Sequence, residues 1–241
     1  MDNGFQFGER CTRDFDMYVQ HRPRQKIPAR RGKTFKIPGR SGVLHQMEDA
    51  WENYLQPYDC YFHGKQPMPL QAHAIKAWLC SDSSPRKLRD AYDPEFYHWA
   101  TFLNAADIDN VLNRYGKVTL KFDCDPRAFL VTGDEPVRFD TAGVLHNAMA
   151  FAAQPVITVY GSGSGNVYVG GTTVEILEIS DQITLDCELM DAYQKVGDGP
   201  KENKNGCISA PVFPVLGPGE NNISWDGGIT ALEIIPRWWT L

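Results

Sequence analysis

Strict alternation of apolar and polar residues over "KVTLKFDCD" (residues 117–125) is the feature that most restricts how this chain can fold. Successive side chains of a β-strand point to opposite faces, so this segment predicts a strand with one buried and one solvated face. In residues 136–241, short apolar runs recur between Gly, Pro and Asn turns. Strands at such short spacing are typical of an antiparallel β-sandwich. We therefore expect a mainly β protein.

The same patterns predict several more strands. In the first half they are expected at residues 5–7, 14–22 and 96–103. In the second half, the strands on either side of the glycine-rich stretch 161–165 are expected to form a hairpin, and three short strands are expected between residues 213 and 236.

One segment departs from the β pattern. "PLQAHAIKAWLCS" (residues 69–81) begins with a proline, which suits the first turn of a helix, and repeats apolar residues at helical spacing. We expect this helix to cover one face of a sheet. The predicted apolar stripe consists of Leu70, Ala74, Ile75, Trp78 and Leu79.

Positive charge is concentrated near the start of an acidic chain. The chain holds 24 Lys and Arg against 30 Asp and Glu, a net charge of −6, whereas residues 10–40 hold ten Lys and Arg and two Asp, a net charge of +8. We call residues 10–40 the basic segment. Within it, residues 22–33 predict a loop or extended arm, and Pro38-Gly39 predicts a tight turn. The candidate protein–protein interface residues are Arg22, Arg24, Lys26, Arg30, Arg31, Lys33 and Arg40.

Charge also separates the two halves of the chain. Residues 1–135 have a net charge of +1, and residues 136–241 have a net charge of −7. Such asymmetry suggests two units with different neighbours. We expect an N-terminal β domain with one helix over residues 1–135, of β-sandwich or split-barrel type, and a second β-sandwich domain over residues 136–241.

Signals for catalysis, metal binding and membrane insertion are weak. The stretch "GSGSG" (161–165) lacks the helix and lysine of a phosphate-binding loop, and the six histidines and six cysteines never fall at metal-ligand spacing. Asp123 and Asp125 share a strand face with lysines, which favours solvated charge over an acid/base pair. We expect reduced thiols, no signal peptide, no transmembrane segment, no catalytic residues, no metal and no cofactor.

The order of the segments resembles the distal tail proteins of long, non-contractile-tailed phages that infect Gram-positive bacteria. Each motif is short, but the ordered set extends over the whole chain. The stretches that carry the resemblance are "FQFGERCTRDFDMYVQHRP", "IPGRSGVL", "LKFDCDPRAFL", "LHNAMAFAAQPVITVYGSG", "ITLDCELMDAY" and "NNISWDGGITALEIIPRWWTL".

This resemblance implies a ring-forming N-terminal domain and a C-terminal galectin-like sandwich. It also implies a structural role in the virion: a homo-oligomeric ring of six subunits at the distal end of the tail. Such a ring would join the tail tube protein to the tail-tip and receptor-binding proteins after assembly in the host cytoplasm. The chain has no insertion long enough for a carbohydrate-binding module of the kind that some relatives carry.

Two other classes of function stay open from the residues. One is a galectin-type carbohydrate-binding module, although the expected Trp platform with Arg, His and Asn or Glu is not visible in the sequence. The other is a nucleic-acid-binding protein that uses the basic segment. The Lys and Arg cluster between residues 22 and 33 contains no aromatic residue for base stacking, and the second half is acidic. A solvated loop or a charged protein interface accounts for this segment at least as well.

Overall fold

The structure, a computed structural model, describes residues 3–63, 67–103, 108–112, 115–195, 197 and 199–241. The chain divides into two compact units, Met1–Ala128 with Leu241 and Phe129–Thr240. The predicted mainly β architecture with one α-helix is confirmed for the described residues. The assignment of ring formation to residues 1–135, and of a separate domain to residues 136–241, stays a prediction.

The first unit is an antiparallel sheet with a helix packed on one face. Its strands are β1 (Phe5–Phe7), β2 (Arg10–Cys11), β3 (Met17–Val19), β4 (Arg30–Phe35), β5 (Leu44–Trp51), β6 (Tyr54–His63), β7 (Arg86–Asp90), β8 (Asp93–Thr101), β9 (Ile108–Leu112) and β10 (Tyr115–Cys124). The helix is α1 (Met68–Cys80). The strand order is β2–β1–β7–β8–β10–β6–β3, with β9 beside β10. Strands β4 and β5 form a separate two-stranded sheet.

Strand β10 follows the predicted alternation. Val118, Leu120, Phe122 and Cys124 are buried in the core of the first unit, and the residues between them are exposed or half-buried. All ten residues of β10 pair with β6. The buried face therefore spans the centre of the sheet, as the period of two requires.

Helix α1 forms where predicted, but its buried stripe is displaced by one position. Ile75, Trp78 and Leu79 are buried, whereas Leu70 is 59% exposed and Ala74 is also exposed. Gln71 takes the inward position one turn before Ile75, and its amide donates a hydrogen bond to the main-chain oxygen of Phe15. The expectation that Leu70 and Ala74 belong to the core was wrong, because a hydrogen-bonded polar side chain lies at that position.

The predicted strand at 14–22 was also wrong over its first half. Thr12–Phe15 form a 3-10 helix, and only Met17–Val19 are extended. The carboxylate of Asp14 accepts a hydrogen bond from the Cys11 main-chain N–H at 2.9 Å, and Asp16 adopts a left-handed φ of 48°. Local hydrogen bonding by Asp therefore overrides the alternation there.

The second unit is a two-sheet sandwich. Its strands are β11 (Ala128–Leu130), β12 (Val137–Phe139), β13 (Gly143–Asn147), β14 (Val156–Gly161), β15 (Gly163–Val169), β16 (Thr172–Ile179), β17 (Gln182–Asp186), β18 (Asp191–Gln194), β19 (Glu202–Asn203), β20 (Ile208–Ser209), β21 (Gly219–Trp225), β22 (Ile229–Ile235) and β23 (Trp239–Thr240). One sheet has the order β12–β22–β14–β17–β18–β19 and the other β13–β21–β15–β16–β20, while β11 pairs with β23. All pairings within these two sheets are antiparallel, and a continuous apolar core lies between them. The predicted antiparallel sandwich is confirmed.

The glycine-rich stretch 161–165 is a crossover between the two sheets, so the predicted hairpin was wrong. Strand β14 pairs with β17 and β22, whereas β15 pairs with β16 and β21. The Ser162 N–H donates to Gly228 O at 3.0 Å, and the Gly228 N–H donates to Ser164 O at 2.7 Å. A Cβ at Gly165 would lie 2.3 Å from the main-chain oxygen of Asp226, so close backbone approach explains this glycine.

The end of the chain contains two of the three strands expected between residues 213 and 236. These are β21 and β22, and Leu216 forms only an isolated bridge with Ala153. Prolines on both sides of this bridge, at 214 and 218, remove main-chain donors and keep the segment irregular.

Candidate functional site

The hairpin β4–β5, residues 30–51, contributes no residue to the buried core cluster of the first unit. We call this hairpin the arm. Every residue from 29 to 49 is exposed. Strands β4 and β5 pair with each other and with no other described strand. A two-stranded ribbon is marginally stable in water, and its outer edges leave main-chain donors and acceptors open. Contact with another surface would therefore stabilise the arm.

The turn of the arm is the predicted Pro-Gly turn. The Arg40 N–H donates to Ile37 O at 3.2 Å, and Gly39 has a φ of +77°. A positive φ at the third position of a four-residue turn defines type II, which Pro followed by Gly favours. The prediction of a structural turn at this position is confirmed, and the turn places Arg40 at the tip of the arm.

The arm exposes an unusual amount of apolar surface. Phe35 and Leu44 are directly paired across the two strands, so both side chains lie on one face of the ribbon. An exposed apolar pair of this kind is a candidate interaction surface, whereas Met47, opposite Gly32, lies on the other face of the ribbon. The exposed large apolar residues of the arm are Phe35, Ile37, Val43, Leu44 and Met47, and in the coil before it Ile27 is 97% exposed.

Four of the seven predicted interface residues already have partners within the chain. Arg30 pairs with Asp49 at 2.7 Å and lies over the Trp51 ring at 5.6 Å. Arg31 pairs with Glu52 at 3.1 Å. The ammonium group of Lys26 donates to Leu55 O, and Arg22 lies over the Tyr92 ring at 5.8 Å. These contacts link the two strands of the arm, and link the coil before it to the first unit.

The other three predicted residues are free of ion pairs within the described part of the chain. Arg24 lies in the coil of residues 22–29, Lys33 lies on β4 beside Phe35, and Arg40 lies at the tip. The structure therefore brings Arg30, Arg31, Lys33 and Arg40 together on the arm and places Arg22, Arg24 and Lys26 in the coil that leads to it. Whether these residues contact a partner stays a prediction.

The second strand of the arm was not predicted from the sequence. Residues 44–51 contain the apolar residues Leu44 and Met47 but show no clear alternation that would predict a strand. The usable signal was their position: a strand-like segment directly after a Pro-Gly turn forms a hairpin with the strand before it. Residues 22–33, predicted to form a loop or extended arm, are coil up to residue 29 and extended as part of β4 from residue 30.

The contact between His98 and Tyr54, two half-buried titratable side chains of the first unit, is structural. His98 Nδ1 lies 3.0 Å from Arg127 O, and Tyr54 Oη lies 3.2 Å from His98 Nε2. Nδ1 faces a carbonyl oxygen and must carry the proton, so Nε2 accepts from the tyrosine. Burial lowers the pKa of His98 and raises that of Tyr54. The neutral pair holds the segment after β10 against β8.

No group of three or more His, Cys, Asp or Glu side chains that could hold a metal ion occurs among the described residues. In the same part of the chain, α1 lacks the length and apolar character needed to cross a bilayer. The expected absence of catalytic residues, metal and cofactor stays a prediction.

Comparison with known proteins gives a match at the level of fold. No protein-family model and no curated protein sequence matches the chain. Among solved structures, the chain is similar to the crystal structure of SPP1 Dit (gp 19.1), described as a paradigm of the hub adsorption apparatus in phages that infect Gram-positive bacteria. The TM-score is 0.72 at 13% sequence identity, and the match covers 99% of each chain. The resemblance predicted from the sequence is thus confirmed in the fold of both units.

Proposed function

We propose that this chain is a structural component of a phage tail that assembles into a hexameric ring at the distal end of the tail. The ring joins the tail tube protein on one side to the tail-tip and receptor-binding proteins on the other. The observation that carries this proposal is the fold match to SPP1 Dit over 99% of both chains. Fold alone does not fix function, so the arm supplies a second and independent argument.

The arm has the chemistry of an assembly surface. A ring is closed by a head-to-tail interface, which requires two different, complementary patches on each subunit. The arm supplies one such patch, with the apolar pair Phe35 and Leu44 from its two strands and the cations Lys33 and Arg40, for which the described residues offer no ion pair. Residues 136–241 carry a net charge of −7 and offer acidic surface as a complement.

Apolar burial rather than charge should supply most of the interface free energy. Each large apolar side chain contributes about 1.5–3 kcal/mol when fully buried, whereas an exposed ion pair contributes ~0–1 kcal/mol. Cations at the rim mainly raise the association rate and set the register. Leu44 and Met47 are therefore expected to matter more for ring stability than Lys33 and Arg40.

Light scattering coupled to size exclusion, with electron microscopy of the same fractions, tests both parts of the proposal. The wild-type protein is expected to give rings of six protomers. Leu44→Ser with Met47→Ser should shift the ring toward monomer at equal concentration, because both side chains are exposed in the monomer and their loss leaves the core intact. Leu177→Ser with Leu189→Ser is the matched control, since these exposed leucines lie outside the arm.

A second pair of variants isolates the charge. Arg24, Lys33 and Arg40 are replaced by Ser because they make no ion pair among the described residues, whereas loss of Arg30 or Arg31 would also break contacts within the arm. Replacing Lys76, Lys117 and Lys195 by Ser removes the same charge at exposed positions elsewhere. The first set should slow assembly and the second should not.

A wild-type protein that stays monomeric at high concentration contradicts the proposal that the chain forms rings by itself. If the arm variants assemble like wild type, the arm does not contribute to ring closure, and the tube protein becomes the expected partner of the arm.

A further inference from the structure

The outer face of the second unit's five-stranded sheet presents one exposed aromatic ring on a rigid base. Strand β15 alternates strictly: Val167 and Val169 are fully buried, and Tyr168 between them is 37% exposed on the opposite face. Its cross-strand neighbours are Ser224 on β21 and Thr173 on β16. Both are small, so they leave the ring of Tyr168 partly exposed on this face.

A network of hydrogen bonds fixes this ring. Tyr168 Oη donates to Asp226 Oδ2 at 2.8 Å. Asp226 Oδ1 in turn accepts from the main-chain N–H of Asn166 at 2.7 Å and from its Nδ2 at 3.1 Å. The hydrogen bonds from Tyr168 and Asn166 lower the pKa of Asp226, which keeps the carboxylate ionised as an acceptor. An aromatic side chain held in this way loses little conformational entropy when a ligand packs on it.

This ring differs from two other tyrosines of the second unit in its contacts. On the other sheet, Arg138 lies over the Tyr160 ring at 5.0 Å and Lys201 lies over the Tyr193 ring at 3.9 Å. Within the described residues, Tyr168 makes no ring–ring or cation–ring contact. It is therefore available to a ligand in a way that Tyr160 and Tyr193 are not.

Short polar side chains surround the ring. Directly paired residues on neighbouring strands have Cβ atoms about 4.5–5.5 Å apart, so they reach a ligand that packs on the ring. Hydroxyl, amide and carboxylate groups are all present. We call this set the Tyr168 platform; its members are Tyr168, Asn166, Thr173, Glu175, Ser224 and Asp226.

Charge restricts what the platform can bind. The five strands of this sheet contain no Lys or Arg, whereas they carry Glu175, Glu178 and Glu220, with Asp226 directly after β21. These carboxylates repel phosphate and sulfate groups. Carboxylates beside an aromatic ring instead suit a ligand with an apolar face and many hydroxyl donors. A pyranose sugar has this chemistry, because its C–H groups pack on the ring while its hydroxyls donate to the carboxylates and amides at the rim.

We propose that the Tyr168 platform is a low-affinity binding site for a neutral pyranose glycan. The site belongs to the sandwich itself and needs no inserted carbohydrate-binding module. It does not depend on ring assembly, since all its members lie within one chain. A single aromatic platform without an enclosing pocket predicts a dissociation constant on the order of 1 mM.

Saturation-transfer NMR on the whole chain measures such weak binding directly. The ligands are chitotetraose and maltotetraose as neutral oligosaccharides and a sulfated oligosaccharide as the anionic comparison. Wild-type protein should transfer saturation to at least one neutral oligosaccharide, and the anionic one should give a signal about tenfold weaker or none. Tyr168→Ala should abolish the transfer. Tyr168→Phe keeps the aromatic ring but removes its hydrogen bond to Asp226, so binding should weaken a few-fold.

Matched variants separate loss of the site from loss of fold. Tyr193→Ala removes a tyrosine from the other sheet and should leave binding unchanged. Ser224→Arg adds a bulky cation beside the ring and should block neutral glycans without removing any core residue. Circular dichroism melts of each variant check that the sandwich is intact. The proposal is overturned if wild type transfers saturation to no neutral oligosaccharide at roughly 10 mM, if the sulfated ligand binds better, or if folded Tyr168→Ala and Ser224→Arg proteins bind like wild type.

Discussion

The indole Nε1 of Trp78 donates a hydrogen bond to the main-chain oxygen of Phe7 at 3.1 Å. This contact ties α1 to β1, an edge region of the first unit's sheet. The same indole stacks on Phe15, with ring centroids 4.7 Å apart and planes 19° apart. Trp78 thus joins the helix, the first strand and the 3-10 helix in one packed contact.

Trp78→Ala should lower the free energy of unfolding by ~3–5 kcal/mol, because it opens a cavity and leaves the Phe7 oxygen without its donor. Leu70→Ala on the same helix is the control, since Leu70 is exposed and its loss should cost under about 0.5 kcal/mol. Urea denaturation followed by fluorescence measures both. An unchanged midpoint for Trp78→Ala would show that this face of the helix is not packed.

Substitutions in the Asp186–Arg237 pair should also lower the free energy of unfolding strongly. Two hydrogen bonds of 2.9 and 3.2 Å join the side chains, and the Asp186 carboxylate is almost fully buried. Burial alone would raise the pKa of Asp186, but the hydrogen bonds and charge of Arg237 outweigh it and the pKa is lowered. Arg237→Ala should cost about 3 kcal/mol because it leaves a buried, unpaired carboxylate. Arg237→Ala combined with Asp186→Ala should recover part of this loss in urea denaturation; a double variant as unstable as the sum of both single variants argues against a coupled pair.

A fragment of residues 136–241 is predicted to give a β-type circular dichroism spectrum and a cooperative melt. The structure also predicts a difference between two fragments, because residues 129–135 form hydrogen bonds with the last residues of the chain. Leu130 N–H donates to Trp238 O at 2.8 Å, and Arg237 N–H donates to Gly133 O at 2.8 Å. A fragment of residues 129–241 should therefore melt at a higher temperature than residues 136–241. Failure of both fragments to fold would contradict an independent second domain.

Stability should fall in mild acid through His98. A histidine in an unfolded chain titrates near pH 6.5, and burial lowers the pKa of His98 in the folded protein. Protonation therefore favours the unfolded state, so the contribution of His98 is fully present above about pH 6.5 and is lost as the pH falls toward the lower folded-state pKa. The groups that face His98 are Tyr54, Asp93 and Asp125, together with the main-chain oxygen of Arg127.

The midpoint of urea denaturation, measured at several pH values from about 5 to 8, tests this effect. This range includes the unfolded-state histidine pKa of roughly 6.5. His98→Gln should be less stable at pH 8 but should lose less stability between pH 8 and pH 5 than wild type. His146→Gln, at an exposed position, should retain the wild-type slope. Equal slopes for all three proteins would exclude His98 as the source.

Thiol reactivity should separate three buried cysteines from the exposed Cys80. Cys60, Cys124 and Cys187 are buried, and burial raises the pKa of each to about 12. The thiolate is the reactive form, so these three should resist alkylation in the native protein. Cys80 is exposed and should react first. Mass spectrometry after iodoacetamide treatment locates the labels, and rapid labelling of Cys124 without denaturant would contradict its place in the core.

Local patterns determined several features of this protein without reference to tertiary structure. The period-two alternation of residues 117–125 predicted a half-buried strand, and Val118, Leu120, Phe122 and Cys124 are all buried in β10. The Pro-Gly turn and the helix near residues 69–81 also form where predicted. In each case the cause lies within a few residues: backbone dihedral limits at Pro and Gly, or the repeat of a single element.

Tertiary structure decided which neighbour each element meets. Strands β14 and β15 are separated by one residue, yet they join different sheets, because Ser162 and Ser164 bond to Gly228 some 60 positions later. Likewise, Gln71 is buried and Leu70 exposed because the Phe15 oxygen offers the Gln71 amide a partner.

The two candidate sites show the same division. The sequence by itself determined the positive charge of the basic segment and the Pro-Gly turn. The exposure of Leu44 and Met47 follows from the pairing of β5, which among the described strands contacts only β4. The Tyr168 platform likewise needs Asn166, Ser224 and Asp226, which only the pairing of β15 with β21 brings together. The hydropathy of a side chain gives the free energy gained when it is buried. Long-range strand pairing decides whether the fold provides a buried position for it.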